Sequence, residues 1–278
     1  MGEKPKKDSL IMGNQFNKNN WLPDTEIKWR ATKKHFFNDQ LEKALNKYHD
    51  PLVVGNKLSE LLKSCEIEAV NLVTPRAVEK WASPETVDKW KNIIKDRQML
   101  FELREIGKSI ANTLRPLAGN TFTQWVCHVL NLTFKNKKLP LECVTSGSIK
   151  KELTKSLVLK IDATRFEMRD YKPDIDIIIL KISDKGKKPI AIISAKTTLA
   201  ERVMQTINWH RYLEQLPNSL QNIKLYLVTA WDTFESGTNR YRVQELDGVY
   251  VCNEAVKEYG KIKLFSRIID DLVELAKP

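Results

Sequence analysis

The sequence predicts an α/β (α+β) protein, a mixed sheet flanked by helices and preceded by a helical N-terminal region. Two observations carry this expectation. Apolar residues recur at three- and four-residue spacing up to about residue 135, and beyond residue 139 the pattern changes to short β-rich runs separated by turn formers. A stretch of helical period at 199–216 interrupts those runs, as in sheets with helices packed against them.

The elements follow in chain order. Residues 1–24 are polar and rich in Asn and Lys, with Leu10, Ile11 and Trp21 as their few apolar anchors, and read as an arm that orders on contact. From Asp24 the pattern is helical: Ile27, Ala31, His35 and Phe36, then Leu41, Ala44, Leu45 and Tyr48, then Leu58, Leu61, Leu62 and Cys65. Ser83-Pro84-Glu85 starts a further helix, with Ser83 as cap and Pro84 at the first position. Another helix covers 98–114, and the chain divides into a helical region, 1–115, and a second domain, 116–278. The uncharged run 116–134 carries Asn120, Gln124, His128, Asn131 and Gly119, which would be costly in a bilayer; it reads as a buried helix over 120–134, and no membrane partner is expected. Strands are expected at 141–145, 157–161, 175–182, 190–195, 224–230 and 248–252, with helices at 199–216 and 261–276.

Composition narrows the class. A chain of 278 residues that is 42% hydrophobic and 29% charged, with 10 Gly and 11 Pro, is not collagen-like, low-complexity or largely disordered. The first residues, MGEKPKKDSL, contain no apolar segment of a secretory signal, so an intracellular, cytoplasmic protein is expected. Cys65, Cys127, Cys143 and Cys252 lie far apart without a C-x-x-C pair and read as reduced, buried thiols. The formal charge of +11 divides as +4 over residues 1–100, +8 over 101–200 and −1 over 201–278. A basic middle third beside a neutral end suggests a local polyanion-binding surface; the plainer reading is that lysine-rich turns such as 135–138 are simply solvated.

The chemistry concentrates in one hairpin. Lys172-Pro173-Asp174-Ile175-Asp176 leads into an apolar strand, a turn follows at Ser183-Asp184-Lys185-Gly186-Lys187, and a second apolar strand ends at Ser194-Ala195-Lys196. A tip centred on Lys185 makes ladder partners sum to 370, so Asp174 should face Lys196. Alternation puts Ser194 and Lys196 on one face with Ala195 opposite, and puts Asp174 and Asp176 on a shared face. The acid and the lysine could form a structural ion pair. They could equally be half of a metal site, with a carboxylate holding Mg²⁺ and a lysine orienting or deprotonating water, as phosphodiester hydrolysis requires.

Pro173-Asp174 and Ser194-Ala195-Lys196 resemble the two halves of the PD-(D/E)XK nuclease motif, with Ser194 in place of its acid. This Ser-x-Lys form, with Thr197-Thr198-Leu199-Ala200-Glu201-Arg202 after it, is similar to Type II restriction endonucleases that recognise CCGG-containing or related sites. The resemblance covers roughly residues 115–230. It implies a PD-(D/E)XK catalytic domain in which Asp174 and the Ala195 carbonyl bind Mg²⁺ and Lys196 positions the attacking water. The acid that such enzymes supply from the following helix would fall near Trp209 and His210, and Glu214, one turn beyond His210, is the candidate third ligand; it could also be an ordinary surface glutamate. The family's recognition helix carries an Arg-acid-Arg triplet, against Ala200-Glu201-Arg202 here, so one guanine contact is missing. Glu201 and Arg202 would read bases, with Thr197 and Lys172 also facing DNA, although Thr198-x-x-Glu201 is in addition a capping box. Lys150, Lys151, Arg165 and Arg169 would contact phosphates. A further family acid has no counterpart at Thr123, and Glu102 or Glu105 could take its place or simply belong to a charged face.

The function implied is Mg²⁺-dependent, site-specific cleavage of double-stranded DNA at a palindromic site, by a homodimer or higher homo-oligomer. Two alternatives stay open: a structure-specific repair or recombination nuclease, and a non-catalytic DNA-binding module.

Overall fold

The computed structural model describes residues 25–67, 118–145, 159–160, 170–171, 175–198, 202–214, 222–230, 234 and 237–277. The expected arm, the helices at Ser83 and 98–114, and the expected division near residue 115 lie outside them. The described elements are α1 (Thr25–Tyr48), α2 (Pro51–Asn56), α3 (58–67), α4 (118–136), β1 (Leu141–Thr145), β2 (Leu159–Lys160), β3 (Asp170–Tyr171), β4 (Ile177–Ser183), β5 (Gly186–Lys196), α5 (Arg202–Leu213), β6 (Lys224–Thr229), α6 (Asn239–Arg242), β7 (Gly248–Val251), β8 (Ile262–Leu264) and α7 (Ile268–Ala276). None of these helices is long and apolar enough to cross a membrane.

Six strands form one mixed sheet in the order β1-β4-β5-β6-β7-β8, and β2 pairs separately with β3. The β1/β4 and β4/β5 pairs are antiparallel, and β5 through β8 run parallel. Both faces are covered, which is why β4 and β5 read as nearly continuous apolar runs. Ile177, Ile179, Ala191, Ile193, Ala195 and Val228 join a core with Phe37, Leu41, Val54 and Leu58 of the N-terminal helices and Trp125, Val129 and Leu130 of α4. Ile178, Leu180, Ile192, Leu225 and Leu227 face the other way, against Val203 and Ile207 of α5. The described N-terminal helices therefore share a core with the sheet. Their seat is tight: a Cβ on Gly55 would come within 2.3 Å of the Phe265 ring. Beside it, Asn56 Oδ1 accepts from the Ser266 amide at 2.8 Å.

The hairpin forms as expected, with one adjustment. Partners sum to 370 from Ile177↔Ile193 to Ile179↔Ala191, then to 369 from Leu180↔Pro189 to Ser183↔Gly186. Ile190 is the extra residue. Pro189 has no N–H for the ladder, so a bulge at this point costs little. Ile190 and Ala191 consequently enter the same core although adjacent in sequence.

Two expectations are corrected. The segment 261–276 is not one helix: it opens with β8, whose short period-two Ile262-Lys263-Leu264 pairs with β7, and the helix begins at Ile268. The strand at 170–171 was not anticipated, because two residues of ladder carry no readable pattern. The four cysteines are free and buried, as expected.

Asn131 of α4 closes the outer edge of the sheet. Its Oδ1 accepts from the Cys143 amide at 2.8 Å and its Nδ2 donates to the Cys143 carbonyl at 2.8 Å, so one side chain imitates a neighbouring strand. At the far end of the parallel strands Asp247 plays a comparable part. It accepts from the Leu225 amide at 2.8 Å and from Lys224 Nζ at 2.9 Å, and His210 Nε2 lies 3.1 Å from it.

Burial alone would raise the Asp247 carboxyl, but the hydrogen bonds from His210, the Leu225 amide and Lys224 outweigh it and hold the group down at about 2. A carboxyl depressed on folding stabilises the fold above its unfolded value and loses that contribution as pH falls through its folded value. Wild type should therefore lose about 2 kcal/mol from this group between roughly pH 4 and pH 2. Denaturant melts across that range should show a correspondingly shallower loss in Asp247→Asn, and parallel curves would remove Asp247 from the account.

Candidate active site

The end of the hairpin brings together an acid, a lysine and three hydroxyls. Alternation along β5 turns Ala195 into the core shared with the N-terminal helices and leaves Ser194 and Lys196 on the α5 face, as the sequence predicts. Lys196 is 5% exposed, an unusual burial for an ammonium, which calls for a partner. Among the described residues Asp176 supplies one. Its Oδ2 lies 2.8 Å from Lys196 Nζ and accepts from the Ala195 amide, also at 2.8 Å. The carboxylate thus continues the β4/β5 ladder one residue beyond Ile177, where the strand itself has ended.

Sequence reasoning paired Lys196 with Asp174. Asp174 lies outside the described residues, and the lysine is held by the acid two positions later. Ile175 packs in the same cluster as Ile178, so simple alternation does not extend back past Asp176. The contact with Asp176 adds to the expected register, and the closeness of Asp176 to the ladder is the signal in the sequence for it.

Ser194 stands where the motif has its acid. Its Oγ is buried 3.4 Å from Thr206 Oγ1 of α5, which in turn donates to the Arg202 carbonyl at 3.1 Å. Thr206 is the helix residue that meets the motif serine, and nothing in its residue type marked it out. On β6, Thr229 pairs with Lys196, and with Val228 turned to the opposite core its side chain lies on the same face as the lysine.

Glu214 is not brought to Lys196. It follows α5 with its side chain 65% exposed, 3.8 Å from His210 Nδ1. His210 is joined to Asp247, which caps the ladder at Leu225. Leu225 pairs with Ile192 whereas Lys196 pairs with Thr229, so Glu214 sits four residues, about 13 Å, down the sheet. The physical reason is direction: α5 leaves the end of β5 and returns toward the start of β6, so each turn carries its residues farther from the lysine.

Of the expected DNA-facing residues, Arg202 is exposed at the first position of α5 and Thr197 is half-buried just after β5. Glu201, Lys172, Lys150, Lys151, Arg165, Arg169, Glu102 and Glu105 lie outside the described residues. Among the described residues no three His, Cys, Asp or Glu side chains come close enough to hold a metal. Among the described residues the donors beside Lys196 are carboxylate, hydroxyl and carbonyl oxygens, and that chemistry suits a hard cation such as Mg²⁺.

Residues 149–271 match the family model described as BsaWI restriction endonuclease type 2. This segment is Type II restriction endonuclease-like. It contains both halves of the motif, the hairpin between them and α5. Over 176 residues the chain is 27% identical to the provisionally named type II restriction enzyme MjaVIP of Methanocaldococcus jannaschii, covering 59% of this chain and 76% of that one. Two solved structures align more loosely. The pre-specific BsaWI–DNA complex does so at TM-score 0.41 and 13% identity over 86% of this chain and 89% of that one. The PspGI–substrate DNA complex does so at TM-score 0.43 and 14% identity over 86% and 92%.

The geometry separates the two acids by stability. Asp176→Ala leaves a buried ammonium without its carboxylate and should cost about 2–4 kcal/mol, whereas Glu214→Ala, on an exposed side chain, should stay within about 0.5 kcal/mol. Urea denaturation of both variants checks this, and equal midpoints would dissolve the distinction.

Proposed function

We propose that the protein is a Type II site-specific deoxyribonuclease that hydrolyses phosphodiesters in double-stranded DNA with Mg²⁺, at a palindromic, CCGG-containing site. The observation that carries this reading is the buried Lys196 held at 2.8 Å by Asp176, at the end of the motif hairpin and inside the family-matched segment. The named relatives are restriction enzymes, and the basic middle third of the chain is what a phosphate-facing surface requires.

In this reading Asp174 and the Ala195 carbonyl hold the cation. Asp176 would fix Lys196 and supply a further oxygen donor. It takes up the task for which Glu214 was expected, since Glu214 lies at the wrong end of the helix. A bound divalent cation would stabilise charge on the phosphate and lower the pKa of water. The protein's own part is positional. Lys196, almost closed off from solvent, can donate to an attacking water or a phosphate oxygen, and its surroundings keep it from swinging away. Arg202 at the start of α5 and Glu201 before it in sequence would read bases in a major groove, where Arg donates to guanine and Glu accepts from cytosine. Lys172 and Thr197 would contact the backbone at the same end of the sheet. Cutting both strands of a two-fold site calls for two such centres, hence a homodimer or larger homo-oligomer.

Unmethylated plasmid incubated with the protein and Mg²⁺ should give discrete fragments, and omission of the metal should abolish them. Lys196→Ala should lower cleavage by at least about a thousandfold while salt-sensitive DNA binding persists. A smear or branch-only cutting would favour a repair nuclease, and near wild-type cutting by Lys196→Ala would end the hairpin assignment. Glu201→Ala should keep cleavage but relax discrimination at cytosines; unaltered site choice would leave Glu201 as a helix cap alone.

A further inference from the structure

The opposite end of the hairpin collects charge that the proposed active site does not use. Residues 135–142, in the turn from α4 into β1, and 181–188, around the β4/β5 turn, contain seven lysines and two acids. Backbone pairing brings the two turns together: Leu141 is the ladder partner of Lys181, and the Ile182 amide donates to the Pro140 carbonyl at 2.8 Å. Lys187 pairs with Glu142, and Lys181 donates to the Lys277 carbonyl at 3.1 Å. Lys135, Lys137, Lys138, Lys185 and Lys188 are exposed and form no ion pair among the described residues.

Two details set this end apart from an ordinary solvated surface. Lys181 and Lys188 are direct ladder partners, and like charges so placed repel. Lys138 has φ 52°, in the left-handed region where glycine or asparagine is the less strained choice after a helix. The α4 dipole favours cations at its own C-terminal end but does nothing for the hairpin lysines. The first turn is also firmly held, with the Lys137 amide donating to the Thr133 carbonyl and the Leu139 amide to the Phe134 carbonyl, each at 2.9 Å.

This end is remote from the proposed active site. Lys188 precedes Lys196 by eight residues of β5, about 25 Å along the strand. Lys181 alternates with Ile179 and so lies with Lys188 on the α4 face, whereas Lys196 is on the α5 face. We propose that the two turns form a second binding surface for the phosphate backbone of double-stranded DNA, holding a stretch of duplex other than the one at Lys196 and reading no sequence. The choice of polyanion rests on the DNA-cleaving reading. Neither segment contains an arginine for bidentate recognition or an aromatic ring on which the bases of a single strand could stack; lysines acting as point charges suit a duplex backbone.

The test compares the wild-type full chain with a patch variant, Lys137→Gln, Lys185→Gln and Lys188→Gln, and with a control of equal charge, Lys47→Gln, Lys63→Gln and Lys257→Gln, also at exposed positions. Fluorescence anisotropy of a short labelled duplex without CCGG, titrated at several salt concentrations, reads the number of phosphates neutralised. The slope of log K against log salt should become shallower by about two to three in the patch variant and by less than about one in the control. In the patch variant kcat and KM for a short duplex carrying the cleaved site should stay within about twofold, since sites so far apart act independently. Equal slope changes in the two variants, an unchanged slope in the patch variant, or equal weakening toward both duplexes overturns the proposal. So does a patch variant that keeps the duplex but loses phosphatidylserine vesicles, which would assign the surface to a membrane. A wild type that binds duplex through these lysines yet cuts no DNA leaves the surface standing and removes the nuclease reading; one that cuts, with an unchanged slope in the patch variant, does the reverse.

Discussion

One carboxylate oxygen, Asp176 Oδ2, holds both the Ala195 amide and the Lys196 ammonium, and the polar end of the sheet takes its arrangement from that double contact. Without it β5 would end with an unsatisfied amide and a buried ammonium deprived of this carboxylate, both of which interiors tolerate poorly. With it, the lysine is drawn along the sheet toward β4 and the face beyond it is left for Ser194, Thr206 and Thr229. Such a pair is weak evidence for stability, because desolvating two charges offsets much of their attraction. Its place inside an otherwise apolar hairpin fits the water-orienting part proposed for the lysine.

The surroundings make this arrangement stiff. β4 and β5 are covered on both faces, by the N-terminal helices and α4 on one side and by α5 on the other. A strand in that position has no freedom to tilt, and the bulge at Ile190 absorbs the local misfit toward the turn, away from the lysine. β5 and β6 run parallel and end together at Lys196 and Thr229, with α5 starting shortly afterwards. Open α/β sheets place their ligands in the crevice outside the carboxyl ends of parallel strands. The motif is found at this edge because it is where polar groups can be fixed by a rigid interior yet still meet solvent.

Much of this was legible in the residues. The alternation of Ser194, Ala195 and Lys196, the strand at Leu141–Thr145 and the reduced cysteines all followed from period and chemistry. The ladder sum held beside the site because the extra residue Ile190 compensates for a tip centred between Asp184 and Lys185 and not on Lys185, a cancellation that local pattern cannot reveal. Asp174 and Asp176 carry the same side chain two residues apart, so residue type does not say which acid meets the lysine; among the described residues it is Asp176. Glu214 was chosen by helical period, which specifies a face but not a distance along the axis. Thr206 and Thr229 could not be singled out at all, since an ordinary threonine becomes informative only once its burial is known.

Asn131 also bears on how copies of the chain can associate. By taking both the donor and the acceptor of Cys143, its amide occupies the position that a visiting strand would need on the outer side of β1. Sheet growth by edge addition is therefore blocked there, as natural edge strands generally require. Any assembly on that side must be built from side-chain surfaces, whose residues can change to suit a partner without disturbing the hydrogen-bonded frame that carries Lys196.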